Sequence, residues 1–247
     1  MRLYHYTTAQ WALDDIRQRR IKIAEYHNCN DPFELGCFVG SRKARLALRV
    51  SKDDIRKKWG FVSFSSDWRN TVLWSHYAEK HKGICLGFDL KRDEFAQKVL
   101  YPKVRPRFPD IPDEKTMATL LLCKAPGWAY EKEWRLSATL EDRDEGTGLC
   151  FYNFNDDFRL REVIVGSAAN DGLTEEVVRA AIGDYPHQVL VKKGRLGFKR
   201  FEVVSQKRGF KDPVKEYPAN FKGKYPDELL KAAAEVGYEF PAPKLNS

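Results

Sequence analysis

The chain has 247 residues, with 43 Lys and Arg against 35 Asp and Glu, a formal net charge of +8. That length can bury a substantial core as one domain, and the 13% aromatic content supplies core material, which excludes global disorder. No apolar run approaches the roughly 18–20 residues that span a bilayer, and no hydrophobic stretch follows Met1-Arg2 as a secretory signal would require.

The five cysteines are odd in number and scattered, which reads as reduced thiols in a cytoplasmic protein rather than a disulfide framework. Leu3-Tyr4-His5-Tyr6-Thr7 reads as a first strand, and residues 8–19 as a helix. Thr8 is its candidate N-cap, with Ala9, Leu13 and Ile16 on one face. Asn30-Asp31-Pro32 is turn chemistry. Residues 41–58 form a strongly charged helix. From Gly60 the period becomes two: Val62 and Phe64 alternate with Ser63 and Ser65, a strand. Ser75 to Lys80 suggests a short helix, and Ile84, Leu86, Phe88 and Leu90 a second clear strand. Residues 113–123 look helical before the Pro126-Gly127 break.

In 131–139 the alternation returns. Trp134, Leu136 and Ala138 face one way, and Glu131, Glu133, Arg135 and Ser137 the other. Leu160 to Val165 is a strand, Leu173 to Ile182 a helix with Thr174 as candidate N-cap, and 188–192 and 198–205 a closing pair of strands. Helices do not alternate strictly with strands. The expected fold is therefore α+β: a single domain over 1–207 with a mostly antiparallel, split sheet flanked by helices. Residues 208–247, rich in Pro, Lys and Tyr, read as a basic appendage with a short helix near 226–236.

Three polar signatures occur in order: His5 on the first strand, Tyr77 after the Ser-rich strand, and Glu133 in a Glu-x-Glu strand. This order resembles that of NAD-dependent ADP-ribosyltransferases. Transfer of ADP-ribose breaks the ribose–nicotinamide bond through an oxocarbenium-like transition state, as in glycoside hydrolysis. Such a site needs a grip on the ribose hydroxyls, a flat surface for nicotinamide and a carboxylate beside the reacting carbon. His5 suits the first role, Tyr77 the second by stacking, and Glu133 the third, with Glu131 placing the acceptor. Tyr6, Thr7, Ser63 and Ser65 would complete the NAD site. Trp74 is a further wall candidate, though it suits the core better. Arg135 can pair with Glu133 or with a phosphate. Asp31 and Glu34 are candidates for the pocket mouth.

The segments Leu3–Thr7, Asn30-Asp31-Pro32-Phe33-Glu34, Ser63-Phe64-Ser65, Leu73–Ala78, His81–Asp89 and Trp128–Arg135 together resemble a bacterial family of unknown function, the one numbered 2971. The resemblance covers most of residues 1–170. It implies a divergent ADP-ribosyltransferase fold and a toxin-like or phage-defence role, with NAD as co-substrate and a protein, DNA, RNA or water as acceptor. One departure is Tyr6, which stands between His5 and Thr7 where the transferase signature is often Gly.

Other chemistries fit less well. His27, Cys29 and Cys37, or His76, His81 and Cys85, lack the spacing of a metal site, so no metal is expected. A phosphate-binding P-loop and a dinucleotide Gly-x-Gly-x-x-Gly are not found. The non-enzymatic alternative is a nucleic-acid-binding module. Lys192, Lys193, Arg195, Lys199, Arg200, Lys207, Arg208, Lys211 and Lys215 are interleaved with Phe198, Phe201, Phe210 and Tyr217, which suits phosphate contact plus base stacking. Lys199, Arg200, Lys207 and Arg208 are its principal candidate contacts.

Overall fold

The computed structural model describes residues 1–91, 95–170, 172–173 and 175–206, without the side chains of 175–177. The proposed appendage 208–247 and the proposed cap Thr174 lie outside the described residues. The strands are β1 (Arg2–Thr7), β2 (Arg20–Lys22), β3 (Ala24–Glu25), β4 (Trp59–Ser65), β5 (Ile84–Leu90), β6 (Gln97–Lys98), β7 (Glu133–Thr139), β8 (Phe151–Asn153), β9 (Phe158–Val165), β10 (Leu190–Leu196) and β11 (Val203–Ser205). The helices are α1 (Ala9–Gln18), α2 (Arg42–Lys58), α3 (Thr71–Tyr77), α4 (Glu114–Leu122) and α5 (Glu175–Ile182). This is a mixed α+β architecture.

A large sheet runs β11-β10-β9-β5-β1-β4-β7-β6, with β3 also paired to β4, and β2 and β8 form a separate ribbon. Its pairs are antiparallel except β9 with β10, which are parallel and joined through α5. The sheet is nearly divided in the middle. β1 pairs with β5 over all six of its residues, and β4 with β7 over all seven, but β1 and β4 meet only at Tyr4 and Ser65. The strands diverge from that point, and the opening between them becomes the site.

Strand alternation explains the layers. On β1, Leu3 enters one core with Ile16 of α1 and Leu86 and Phe88 of β5, whereas Tyr6 enters another with Trp74 of α3, Cys85 and Ile164. The central strands are thus buried on both faces. A third core, around Tyr26, Leu35, Phe61 and Leu120, lies under α2 and α4.

Local chemistry sets the helix boundaries. The Thr8, Ser41, Asn70 and Asp113 side chains each accept a backbone N–H in the first turn of the following helix. The Asn70 cap starts α3 at Thr71, so the helix expected at 75–80 runs over 71–77 instead. Glu79, Lys80 and His81 then follow in left-handed backbone conformation, φ 48°, 54° and 69°. Gly83 closes this loop against β1: a Cβ there would stand 2.3 Å from the Thr7 carbonyl oxygen. At the other end of the chain, residues 198–201 are not strand. Within the expected 198–205 segment only Val203–Ser205 pairs with β10.

Candidate functional site

A cavity of about 710 Å³ lies in the opening between β1 and β4. Its lining brings together His5, Tyr6, Thr7, Ser63, Ser65, Tyr77, Glu131, Glu133 and Arg135, drawn from four separate stretches of the chain. Glu34 also lines it. Asp31 does not; it is buried, with Oδ1 accepting from the Phe33 backbone in an Asx turn.

Ser63 fixes two of these groups at once. Its carbonyl oxygen lies 2.8 Å from His5 Nδ1, and its hydroxyl donates to Glu133 Oε1 at 2.8 Å. A carbonyl only accepts, so His5 Nδ1 carries the hydrogen and Nε2 keeps a lone pair. Burial lowers the His5 pKa and outweighs the opposing effect of the Ser63 bond, so the ring is neutral at neutral pH. A neutral imidazole with a free acceptor is suited to a hydroxyl donor.

Glu133 is 2% exposed and is the hub of the cluster. Oε1 accepts from Ser63 and from Arg135 Nε at 2.9 Å, while Oε2 accepts from Arg135 Nη2 at 3.2 Å and Lys124 Nζ at 3.3 Å. Burial pushes its pKa up, but Arg135, Lys124 and the hydrogen bonds more than offset that and hold the carboxyl below the usual range. Two donors on each oxygen leave it a fixed negative charge rather than a free base.

Glu131 reaches the same cavity by another route. It was expected on the Glu133 face of one strand, but it ends a 3-10 turn over Pro126–Glu131. Lys132 then adopts a left-handed conformation, φ 48°, before β7 begins at Glu133. The kink, not strand periodicity, points both carboxylates inward. Glu131 Oε1 accepts from Tyr77 Oη at 2.6 Å, and Oε2 meets Lys124 Nζ. Burial and the Glu131 bond push the Tyr77 hydroxyl well above its ordinary pKa, so it stays a donor. The Ser65 hydroxyl is committed to the Glu131 carbonyl at 2.7 Å, and the Tyr6 hydroxyl to the Asp67 carbonyl at 2.7 Å. These two groups shape the wall.

Two expected ligand contacts are corrected. Trp74 has no exposed surface; its indole N–H donates to the Trp68 carbonyl at 2.7 Å, and it does not line the cavity. Its place on α3 faces the core under Tyr6. Arg135 is 1% exposed and fully used. It forks onto Glu34 at 2.7 and 2.9 Å, bonds the Leu121 carbonyl at 2.7 Å, holds Glu133, and lies 4.3 Å over the Phe61 ring. No N–H remains for a phosphate. Arg135 positions carboxylates instead.

Lys124 was missed. It is 5% exposed, bridges Glu131 and Glu133, and its Nζ stands 4.8 Å from the Trp128 ring centroid. The signal was a lone cation directly after the apolar run Leu120-Leu121-Leu122-Cys123. Asp15, also missed, is an acid on the buried stripe of α1 with Ala12 and Ile16. The cluster holds three carboxylates, Glu34, Glu131 and Glu133, against two cations, Arg135 and Lys124. That cluster carries one net negative charge; the rest of the lining, besides Asp15, adds Glu25 against Lys22 and Arg143.

The described part of the basic segment does not line the cavity. Lys199 and Arg200 are exposed between β10 and β11, whereas Lys207 and Arg208 lie outside the described residues. Lys192 is paired with Glu162 at 2.8 Å. Among the described residues no group of three or more His, Cys, Asp or Glu side chains is arranged to hold a metal ion, and no helix is long and apolar enough to cross a membrane. No family model matches the chain, and no curated protein or solved structure matches it.

Proposed function

We propose that this protein is an NAD-consuming enzyme of ADP-ribosyltransferase type, transferring ADP-ribose to an acceptor or to water. The reading is supported above all by Ser63, which ties His5 and Glu133 into one cavity at the split of the sheet. The nicotinamide of NAD is a cation, and the oxocarbenium that follows is positive at the ribose. A cluster with one net negative charge complements both.

In the proposed reaction the bond from ribose C1′ to the nicotinamide nitrogen breaks, and its electron pair leaves with neutral nicotinamide. His5 Nε2 accepts from a ribose hydroxyl. Glu133 supplies the fixed charge beside C1′. Glu131, with fewer donors on its oxygens, orients the acceptor and takes its proton as the acceptor attacks C1′. Tyr77, held by Glu131 and approached by Asn30 Nδ2 at 3.4 Å, presents its ring to nicotinamide. The test is incubation of the protein with NAD, following nicotinamide by chromatography. Time-dependent release is expected. Intact NAD after prolonged incubation, with or without protein and nucleic-acid acceptors, contradicts the proposal.

A second reading has its own support. Phe198 is 75% exposed, and Phe201 is fully exposed beside Lys199 and Arg200. Aromatic faces among cations suit single-stranded nucleic acid. Such binding weakens steeply with salt. Neutralising Lys199, Arg200, Lys207 and Arg208 together should lower oligonucleotide affinity and flatten the salt slope while sparing NAD cleavage.

A further inference from the structure

The cavity has a second polar end, on α1. Asp15 is 2% exposed yet lines the cavity, and its Oδ1 is enclosed without a hydrogen-bond partner. A buried polar atom without a partner is unfavourable and marks a place where a ligand would complete the bonding. Trp11 stands one helical turn earlier on the same face, half-buried, and lines the same cavity. Lys22 of β2 lies there too, with Nζ 5.4 Å from the Trp11 ring centroid. An aromatic face, a carboxyl edge and a cation thus line the cavity from α1 and β2, elements that hold none of the Glu133 cluster.

We infer that Asp15, Trp11 and Lys22 form a subsite for an adenine nucleotide, with the base stacked on Trp11, its edge bonded to Asp15 and Lys22 toward the phosphates. The identification of the whole ligand as NAD rests on the proposed function; the subsite itself requires only an adenine nucleotide.

The choice of base follows from the state of Asp15. Burial raises its pKa to about 8. Asp14 on its own helix adds to the rise, while Arg20 and Lys22 on β2 oppose it. Tyr185, beyond α5, is a further titratable group near it. At neutral pH the carboxyl is therefore protonated and offers one donor and one acceptor. Adenine presents a matching acceptor at N1 and donor at N6. Guanine presents two donors, N1–H and N2–H, which suit an ionised carboxylate instead.

The experiment is calorimetric titration of the full chain with AMP and with GMP, from about pH 6.5 to about pH 9.5. Wild-type affinity for AMP should hold to about pH 8 and then fall roughly tenfold per pH unit, while GMP moves the opposite way. Asp15→Asn keeps a donor and an acceptor, so AMP affinity should stay within a few-fold and lose its pH dependence. Asp15→Ala should weaken AMP about tenfold. The wild-type pH profile requires no variant and so is independent of any effect on folding. AMP affinity that ignores pH, or wild type that binds no AMP at millimolar concentration, overturns the subsite. Nicotinamide release separates the two claims. Expected AMP behaviour without NAD cleavage leaves the subsite standing and removes the enzyme. NAD cleavage with AMP binding indifferent to Asp15 does the reverse.

Discussion

The Ser63 hydroxyl donates to Glu133 Oε1 at 2.8 Å, across the β4–β7 pair and beside the point where the sheet opens. Ser63 stands opposite Arg135 in the register, one pair along from Trp134, so the bond runs diagonally along one face. Its removal leaves Glu133 short of a donor inside a buried site. Ser63→Ala should reduce NAD cleavage by about tenfold, the loss of one hydrogen bond to a charged group, with little change in fold. Ser63→Thr, which keeps the hydroxyl, should restore most of the rate. Equal rates for the alanine and wild-type proteins would detach Ser63 from the mechanism.

Arg135 carries a structural prediction. It neutralises Glu34 and Glu133 in the interior, and truncation leaves both carboxylates uncompensated. Arg135→Met should destabilise by about 3–5 kcal/mol in urea unfolding. Arg135→Lys should recover only part of this, because an ammonium cannot fork onto Glu34 while also holding Glu133. Full recovery by lysine would mean that charge alone, not geometry, organises the cluster.

Lys124 should matter to chemistry as well as to stability. Burial lowers its pKa, but Glu133 and Glu131 raise it further, so it remains a cation between them. Lys124→Met leaves the two glutamates facing each other without a bridge. NAD turnover should fall by about 10²-fold, on the scale of losing a preorganised charge, and its pH profile should shift upward as one carboxyl gains protons. An unchanged pH profile with unchanged turnover contradicts that role.

Stability should depend on pH in two opposite senses. Glu133 has its pKa lowered on folding, so its contribution is present above about pH 4.5 and is lost as pH falls through the lower folded value. Asp15 has its pKa raised to about 8, so the folded state binds the proton more tightly and stability declines as pH rises from about 4 to about 8. The decline is at most about 1.4 kcal/mol per pH unit. Asp15→Asn should flatten it, as measured by denaturant midpoints across that range, and leave the acid limb unchanged.

Much of this arrangement was legible in the sequence. Period-two alternation marked β4, β5 and β7, the side-chain cap at Thr8 marked α1, and the expected α+β class with a largely antiparallel sheet agrees with the strand pairing. Short pairings such as β2 with β8 were not, because three-residue strands carry no period and depend on a partner over a hundred residues away. Strand alternation puts Glu131 on the correct face but not by the real cause: a left-handed Lys132 leaves no trace in a Glu-Lys-Glu run. Arg135 and Lys124 show the same limit from another side. Whether a cation meets solvent, phosphate or two buried glutamates is decided by tertiary packing, and only the apolar run before Lys124 hinted at burial.

The most direct measurement is the rate of nicotinamide release from NAD by wild type, Glu133→Gln and Glu131→Gln, each checked for an unchanged melting transition. The proposed mechanism predicts a loss of about 10²–10³ for Glu133→Gln, since the swap keeps shape and removes the charge facing the oxocarbenium. Glu131→Gln should impair transfer to an acceptor more than simple hydrolysis. Wild-type turnover by a folded Glu133→Gln protein would contradict the account.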